Sequence, residues 1–286
     1  MNITISIVSY NTKEALKRCL TSIYRYTKDI SFEVVVIDNG SQDGTQEMLT
    51  ELSYKNLTLI LNKTNTFYSH AHNQALNKAH GRYFLILNSD VFFVDNSIKK
   101  LVQFMESHKK VGAAEGVEIY ENGQILHTGS KKSSTLIDFY ELSFIGKRLA
   151  DLAGQEKIRA FRYDGIDRRK TFEVDVACDA FLMLRTATFK QLKGYDESLK
   201  LYYTENDLCL RIQNKGYAIF HVGNARIMHT VSLSANKLKW NKLKLYYADL
   251  LQYYRKHDSL ISGLLLYLLL NAEMVMLKIF RPKMFD

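Results

Sequence analysis

The sequence predicts an α/β fold with a mostly parallel central sheet flanked by helices. Short apolar runs at 3–8, 32–37 and 83–87 have no helical period, which is typical of strands buried on both faces. Segments with apolar residues at helical spacing lie between them. Each run ends in polar residues, and ligands of open α/β sheets bind beyond the carboxyl ends of the strands. We therefore expect a binding site at that edge.

The first half of the chain alternates strands with helices of about ten residues, the pattern of parallel βαβ units. We expect strands at 3–8, 32–37, 57–61 and 83–87, and helices at 13–26, 46–53 and 73–79.

The second half gives weaker signals. A strand is expected within 111–120, followed by a turn at 121–124 of the kind that joins hairpin strands. The basic section 111–175 is either a solvated face or a variable loop that meets an anionic acceptor. An apolar run predicts a strand over 172–184, and a segment rich in Tyr and Leu predicts a helix over 243–254.

Composition and charge limit the classes of partner and the compartment that we expect. The 286 residues carry a net charge of +9, which suits nucleotide phosphates, nucleic acid or a membrane surface. No RNP, helix-turn-helix or zinc signature is present, so we expect no nucleic-acid partner. Three widely spaced cysteines predict a reducing compartment. The chain begins with a strand-like segment and no secretory signal, which predicts a cytoplasmic protein.

Two acids follow predicted strands. Asp90 ends the triplet after the fourth strand, where a carboxylate can hold Mg²⁺ or Mn²⁺; the alternative is that it caps the next segment. Asp38 opens the loop 38–45, which matches neither common phosphate fingerprint. An acid at this position can bond a ribose or a base, whereas the alternative is an ordinary Asx-turn.

The segments SIVSYN, VVVIDNGSQDGT and GRYFLILNSDV occur in order, followed by DAFLMLRTATFKQLKGYDESLKLYYTENDLCLRIQNKGY. Together they resemble the inverting glycosyltransferases of family 2, particularly bacterial rhamnosyltransferases, over roughly residues 3–235. The resemblance implies a Rossmann-like GT-A domain at 1–236, with a nucleotide-sugar half at about 1–110 and an acceptor half at about 111–236. A basic, apolar helical tail follows at 237–286.

The resemblance implies transfer of a sugar, with inversion, from a nucleoside diphosphate donor such as dTDP-L-rhamnose or a UDP-hexose. The acceptor would be a hydroxyl of a bacterial surface glycan or of a lipid-linked acceptor, as in cell-envelope polysaccharide biosynthesis. The alternative is a catalytically inactive sugar-nucleotide-binding protein of the same fold, whose incomplete metal motif reflects lost activity.

The resemblance also implies which residues line the nucleotide-sugar pocket. They are Ser9, Tyr10, Asn11, Asp38, Asn39, Asn65, Asn73, Asn88, Ser89 and Asp179. The family usually has glycine and phenylalanine where this chain has Thr66-Phe67, so the turn there is expected to differ. The family commonly has glycine where Asp179 stands. An acid in an apolar run needs a partner, which suggests that Asp179 accepts hydrogen bonds from sugar hydroxyls.

The family's metal motif, Asp-x-Asp, is incomplete here because Asn88 stands at the first acid. Asp90 and His229 are the expected ligands of Mg²⁺ or Mn²⁺, and the loss of one carboxylate weakens such a site.

The family's catalytic base is a carboxylate in a Glu-Asp-x-Asp motif at a helix start. In LYYTENDLCLR this places Glu205 at the base and Asp207 at the last acid, while Thr204 replaces the first acid. The alternative is that both acids only favour a helix N-terminus. Arg211, one turn after Asp207, is expected to pair with it.

The tail has nine Lys or Arg against four Asp or Glu, and its segment 260–280 is strongly apolar. Because Glu273 near its middle would be expensive in lipid, we expect amphipathic helices on the inner membrane surface rather than a span. The alternatives are a helix docked on the protein's own core and a homodimer contact.

Overall fold

The computed structural model describes residues 1–230 and 240–280. The strands are β1 (Ile3–Ser9), β2 (Phe32–Asp38), β3 (Leu57–Leu61), β4 (Tyr83–Asn88), β5 (Val91–Phe92), β6 (Val111–Ile119), β7 (Phe172–Glu173), β8 (Phe181–Arg185) and β9 (Ala218–His229). The helices are α1 (Lys13–Tyr26), α2 (Thr45–Glu51), α3 (Tyr68–Leu76), α4 (Ser97–Ser107), α5 (Thr135–Leu142), α6 (Phe144–Leu149), α7 (Gln155–Phe161), α8 (Thr186–Gln191), α9 (Thr204–Gln213), α10 (Trp240–His257) and α11 (Leu260–Phe280), with a π-helix at Ala150–Gly154.

The strands within the described residues form one mixed sheet in the order β3-β2-β1-β4-β8-β6-β9-β5, with β7 paired to β9. β1 lies parallel to β2 and β4, and β2 parallel to β3, which confirms the predicted α/β fold. β8 runs antiparallel to both β4 and β6, whereas β6 and β9 are parallel.

These strand directions bring the candidate site residues to one edge of the sheet. β1, β2, β4, β6 and β9 all end there, and β8 begins there because it runs the other way. Leu87 pairs with Phe181, and the Asn88 amide donates to the Ala180 carbonyl at 3.0 Å. The segment before β8 therefore lies beside the triplet that follows β4.

Both faces of the sheet are buried, as the unbroken apolar runs predicted. Ile5 and Leu85 pack with α1 on one face, while Phe84 and Leu184 pack with α3 and α9 on the other. The predicted bounds of helix 13–26 and strand 57–61 match α1 and β3. Local periodicity is sufficient for α1 because it buries a continuous apolar face, whereas β3, at the edge of the sheet, is only partly buried.

Two predicted elements differ from the structure. The helix expected at 73–79 is α3, which begins five residues earlier, directly after Phe67 at a φ of 66°. The strand expected over 172–184 is divided into β7 and β8. Between them the backbone leaves the strand ladder: the Val176 amide donates to the Ser130 carbonyl at 2.9 Å, and the Cys178 amide donates to the side chain of Glu115 in β6.

The tail forms a helical hairpin, α10 and α11, that packs on the rest of the protein. Its core contains Tyr253, Tyr254 and Leu270 together with Leu199 and Tyr203 from the segment before α9. For this inner face the alternative of docking on the protein's own core is confirmed, and a membrane-surface position of the tail stays a prediction. The predicted boundary at 236/237 lies outside the described residues.

Glu273 is held by groups of the protein, in agreement with the expectation that segment 260–280 does not span a membrane. Its carboxylate accepts from the Ser143 hydroxyl at 2.8 Å and from the backbone amides of Phe144 at 2.7 Å and Ile145 at 3.1 Å. Glu273 therefore caps the start of α6, and protein groups satisfy its carboxylate. Across residues 1–230 and 240–280, no helix is long and apolar enough to cross a membrane.

Candidate functional site

A chain of three buried hydroxyls joins the loops after β1 and β4. The Ser9 hydroxyl lies 3.0 Å from that of Thr12, which lies 2.9 Å from that of Ser89. Ser9 and Ser89 were predicted as pocket residues, whereas Thr12 was missed because nothing in its local pattern marks it. Tyr10, which lies between Ser9 and Thr12 in sequence, is half-buried.

Asn11 joins the loop after β1 to the loop after β2. Its backbone amide donates to the Ser41 hydroxyl at 2.8 Å, and its side-chain oxygen accepts from the Gln42 amide at 2.7 Å. Its φ of 54° lies in the left-handed region, which Asn tolerates better than most residues. The predicted strand ends are thus adjacent and held in a fixed turn.

Asp38 is fully buried and its carboxylate is used within its own loop. One oxygen accepts from the Ser41 amide at 2.9 Å and from Gln46 Nε2 at 2.6 Å, and the other accepts from the Ser41 hydroxyl at 2.5 Å. These are the contacts that the turn alternative predicts. A direct bond from Asp38 to a nucleotide stays a prediction.

The Asn39 side chain belongs to a hydrogen-bond network of neutral groups at the turn after β3. Its side-chain oxygen accepts from Asn62 Nδ2 at 3.0 Å and from Thr66 at 2.9 Å, and its Nδ2 donates to the Phe67 carbonyl at 3.2 Å. The Asn65 side chain accepts from the Phe67 amide at 2.8 Å. Phe67 is held at a φ of 66° and a ψ of 176°, a conformation that favours glycine.

Asn73 links α3 to the segment that follows α8. Its Nδ2 donates to the Tyr195 carbonyl at 3.0 Å and to Glu197 at 2.9 Å, while its oxygen accepts from the Tyr195 amide at 2.8 Å. Both ends of the side chain are therefore used in hydrogen bonds within the protein. Its contact with the donor sugar stays a prediction.

His229 lies between two carboxylates at the end of β9. Its Nε2 is 3.1 Å from Asp90 and its Nδ1 is 2.6 Å from Glu118, and all three side chains are buried. Burial would lower the pKa of His229, but the hydrogen bonds and charges of Asp90 and Glu118 outweigh it and raise that pKa to about 9. The pairing of Val91 with His229 brings the group together. Glu118 was missed because its role depends on this long-range pairing.

The Asp90 and His229 pair fits part of a site for Mg²⁺ or Mn²⁺. Two neighbouring ligands of an octahedral ion at about 2.1 Å are about 3 Å apart, close to the 3.1 Å between Asp90 and His229 Nε2. Glu118 on Nδ1 is the carboxylate that typically orients a metal-bound histidine. Among residues 1–230 and 240–280, no three His, Cys, Asp or Glu are grouped to hold a metal ion. A bound ion would therefore need further oxygens from substrate phosphates.

Asp179 and Glu205 meet through Thr204 at the same edge. The Thr204 hydroxyl lies 3.3 Å from Asp179 and 3.2 Å from Glu205, and the Tyr195 hydroxyl donates to Asp179 at 3.1 Å. Burial, then the charge of Glu205, raises the pKa of Asp179; burial also raises the pKa of Glu205 despite hydrogen bonds from Thr204 and Asn206. Glu205 and Asp179 remain partly exposed, so both are accessible from the edge.

Asp207 has a different environment from Glu205. Its buried carboxylate accepts from Arg211 at 2.7 Å, Lys256 at 2.5 Å and His257 at 2.7 Å. The predicted pairing with Arg211 is confirmed. Burial opposes ionisation, but the hydrogen bond from His257, the charge of Arg211 and the contact with Lys256 lower the pKa of Asp207. These contacts anchor α10 on α9, so they differ from those expected of a catalytic acid, and a part for Asp207 in transfer stays a prediction.

Two further acids fix the loop before α9, and sequence analysis missed both. Asp249 accepts from the backbone amides of Lys200 at 3.1 Å, Leu201 at 2.9 Å and Tyr202 at 2.9 Å. An acid on the inner face of a helix rich in Tyr and Leu is a signal for such a cap, but its target is not visible in sequence.

Asp138 is the second of these acids. It accepts from the hydroxyls of Tyr203 at 2.7 Å, Tyr254 at 2.6 Å and Ser133 at 2.6 Å, so it joins α5, α10 and the residue before Thr204. Burial raises its pKa in spite of these donors. The start of α9 is thus held on two sides by groups from distant segments.

Comparison with known proteins gives a family and a fold. The profile described as Glycosyl transferase family 2 matches residues 4–192, more than half of the chain. The uncharacterized glycosyltransferase YfnE of Bacillus subtilis is 34% identical over 113 residues, which are 39% of this chain and 29% of that protein. The UDP-Glc:alpha-D-GlcNAc-diphosphoundecaprenol beta-1,3-glucosyltransferase WfaP of Escherichia coli is 29% identical over 107 residues, 37% of this chain and 42% of that protein. The chain thus matches less than half of the length of these curated relatives.

The crystal structure of GalNAc-T7 with UDP, GalNAc and Mn²⁺ superimposes with a TM-score of 0.61 at 17% identity, covering 93% of this chain and 53% of that one. This likeness shows the fold, which is the GT-A fold expected from the sequence. Rhamnosyltransferase-like specificity finds no counterpart in these matches.

Proposed function

Because the chain belongs to glycosyltransferase family 2, we propose that it transfers one sugar from a nucleoside diphosphate donor to a hydroxyl of a bacterial glycan, with inversion at the anomeric carbon. One observation carries the proposal. A partly exposed carboxylate suited to a base, Glu205, lies at the sheet edge where Asp90 and His229 are placed for a diphosphate-bound cation. Inverting transfer needs both functions in one site.

Glu205 performs the proton transfer in this mechanism. As the acceptor oxygen bonds to the anomeric carbon, the bond from that carbon to the diphosphate oxygen breaks, and the acceptor hydroxyl proton moves to the Glu205 carboxylate. The raised pKa of Glu205, caused first by burial, makes it a stronger base than an exposed glutamate. Asn206 Nδ2 donates to Glu205 at 3.1 Å and orients it.

Asp90 and His229 would hold Mg²⁺ or Mn²⁺, with Glu118 orienting the imidazole. When bound, the ion supplies positive charge to the departing diphosphate. Asp90→Ala should weaken donor binding measured with Mn²⁺, while Asp95→Ala, a half-exposed acid paired with Lys100, should not. Unchanged turnover of Asp90→Ala, or full activity of the wild type in excess EDTA, would refute an essential metal at this position.

For the donor we propose a UDP-hexose, with dTDP-L-rhamnose as the second candidate. WfaP carries UDP-Glc in its name, and the GalNAc-T7 structure contains UDP. The donor would lie across the loops after β1 and β2, where Ser9, Asn11 and Ser89 form the preformed edge.

For the acceptor we propose a lipid-linked glycan, reached from the inner membrane surface. The WfaP name specifies a diphosphoundecaprenol acceptor. The outer face of α11 exposes an apolar stripe made of Leu260, Ile261, Leu264, Leu265, Leu268, Val275 and Met276. It adjoins exposed Phe144 and Ile145 on α6, beside Lys147 and Arg148. Apolar side chains rimmed by cations suit an anionic lipid surface.

Sedimentation with anionic liposomes at low salt tests the stripe. The wild type should sediment, and Ile261→Glu combined with Leu265→Glu should not, while Val94→Glu, at an exposed apolar residue outside the stripe, should behave as the wild type. If wild type and double variant both stay in the supernatant, the lipid proposal fails. A double variant that changes from dimer to monomer would instead assign the stripe to a second copy.

The function itself is tested with a panel of nucleoside diphosphate sugars, with and without Mn²⁺. Thermal shift reports binding, because a ligand of the folded state stabilises by mass action. Release of the nucleoside diphosphate in the presence of a lipid-linked acceptor reports transfer. Binding without release for every donor and acceptor would favour the inactive sugar-nucleotide-binding protein instead.

A further inference from the structure

Two carboxylates at the candidate site share one small hydroxyl. We propose that Asp179 and Glu205 act as a pair that holds a single proton through Thr204, and that Asp179 is a positioning residue which keeps the proton while Glu205 stays ionised. The proposal rests on the proposed function for the role of Glu205. It assigns to Asp179 the proton held beside the base, and it predicts a pH above which the reaction rate falls.

The contacts of Thr204 require the shared proton. The hydroxyl is almost fully buried and lies 3.3 Å from Asp179 Oδ2 and 3.2 Å from Glu205 Oε2. A hydroxyl has one hydrogen and therefore donates to one carboxylate only. If both acids are ionised, one faces the oxygen of Thr204 without a hydrogen bond. If one is protonated, it donates to Thr204, Thr204 donates to the other, and both contacts are hydrogen bonds.

The surroundings decide which acid holds the proton. Glu205 lies in the first turn of the ten-residue helix α9, where the backbone favours negative charge, and accepts from Asn206. Asp179 lies in the loop before β8, against buried rings. The titratable groups that face Asp179 are Tyr68 from α3, Glu118 from β6, adjacent Cys178, Tyr195, and Glu205 and Cys209 from α9. Tyr246, Asp249 and Tyr253 from α10 also face Glu205. Burial raises the pKa of both acids, but the helix start and Asn206 favour the charged form only at Glu205, so Asp179 is the acid that holds the proton.

The two positions are also the two places where this chain departs from the family pattern on the acceptor side. Thr204 replaces an acid and Asp179 replaces a glycine, and the structure shows them hydrogen-bonded to each other. The carboxylate absent from position 204 is thus supplied from the neighbouring loop. Two carboxylates are still paired, but Asp179 comes from the loop before β8 rather than from α9.

The proton balance of the reaction follows. Before transfer the pair holds one proton, on Asp179. The acceptor hydroxyl gives its proton to Glu205, so the pair then holds two, and one leaves to water after the products depart. Loss of the Asp179 proton at alkaline pH places a second negative charge beside Glu205, so the Thr204 hydroxyl can then donate to Asp179 instead of the base.

Carboxyl-carbon NMR on protein labelled with [¹³C]aspartate tests the pair without any substrate. The resonance absent from Asp179→Asn should titrate well above the ordinary aspartate pKa of about 3.9. A titration of Asp179 in the ordinary aspartate range overturns the proposal, whether or not the protein transfers sugar. Conversely, absence of transfer in the wild type with a high Asp179 titration contradicts the proposed function alone.

The pH profile of kcat is the second measurement. The wild type should lose activity above about pH 8, the value to which burial and the charge of Glu205 raise the pKa of Asp179. Asp179→Asn, which stays neutral, should lose that alkaline fall. Asp179→Ala should lower kcat about tenfold more than Asp179→Asn at neutral pH, the equivalent of one hydrogen bond to a charged group. An alkaline fall that persists in Asp179→Asn, or a change confined to the donor KM, overturns the proposal and favours a direct sugar contact.

Discussion

The two sides of the sheet edge are built from different chemistry. The loops after β1 and β2 are held by neutral hydroxyls and amides, such as Ser9 with Thr12, and Asn11 with the Ser41 loop. The side that contains α9 is held by acids, with Asp249 on three backbone amides and Asp207 on Arg211, Lys256 and His257.

The first side is therefore a preformed surface, whereas the second side depends on docking of the tail. The partners of the first side are near in sequence, at most about thirty residues apart in these contacts, and lie in loops of adjacent strands. The partners of the second side come mostly from the tail, 47 to 50 residues from the groups they bind, and Asp138 on α5 lies 65 residues from Tyr203. Donor binding should therefore tolerate changes in the tail that reduce turnover.

The strongest test of the comparison is Glu205→Gln. Glutamine keeps the size of the side chain but cannot take the acceptor proton, so kcat should fall by about 10²- to 10⁴-fold. The Kd of the donor should not change, because the loss lies on the α9 side. Stopped-time assays of nucleoside diphosphate release and calorimetric titration of the donor measure the two quantities.

Asp207→Asn is the control for this experiment, since it lies two residues away but faces Arg211, Lys256 and His257. Its first effect should be on stability. If Glu205→Gln transfers sugar at the wild-type rate while Asp207→Asn is inactive, the base is Asp207. Full activity in both variants would refute a catalytic role for this helix start.

Asp249→Ala should show the next largest effect. The amides of Lys200, Leu201 and Tyr202 lose their common acceptor, and hydrogen bonds to a charged group contribute about 1.5–3 kcal/mol each. Urea unfolding should show a loss of about 2 kcal/mol or more, with a reduced kcat and an unchanged donor Kd. Asp258→Ala, in the same tail but exposed, is the matched control. A weaker donor Kd would mean that the two sides are coupled.

Asp38→Ala should affect the opposite side. Ser41 and Gln46 lose their acceptor, which costs about 1–3 kcal/mol of stability and loosens the turn beside the donor site. The donor Kd should rise while the pH profile of kcat keeps its shape. Glu47 is an exposed acid next to Gln46 in α2, and Glu47→Ala should change neither the stability nor the donor Kd. An unchanged donor Kd for Asp38→Ala would remove this loop from the donor site.

The smallest effect concerns acid stability. Burial opposes ionisation, but His257, Arg211 and Lys256 together lower the pKa of Asp207 in the folded state. Its contribution to stability is therefore present above the unfolded aspartate pKa of about 3.9 and is lost as the pH falls through the folded value. The wild type should lose more unfolding free energy between about pH 5 and pH 3 than Asp207→Asn does. Equal losses would indicate that the cations do not stabilise the ionised form.

Sequence predicted the first side well and the second only in part. The strand ends at Ser9 and Asp38 follow from local apolar runs, so their approach could be derived from strand direction alone. The clamp by Asp249 and the contact of Glu118 with His229 could not, because each joins residues 47 to 111 positions apart. Glu205 was found only through a resemblance, since a helix start explains an acid equally well.

The Asp249 clamp also sets an order of events during synthesis. The strands that form the donor edge leave the ribosome first and already contain their own loop partners, whereas Lys200 to Tyr202 must wait for a carboxylate made 47 to 49 residues later. A nascent chain would therefore gain nucleotide affinity before it gains a usable base. Under the proposed function, the growing protein would during that interval bind a donor that it cannot yet consume.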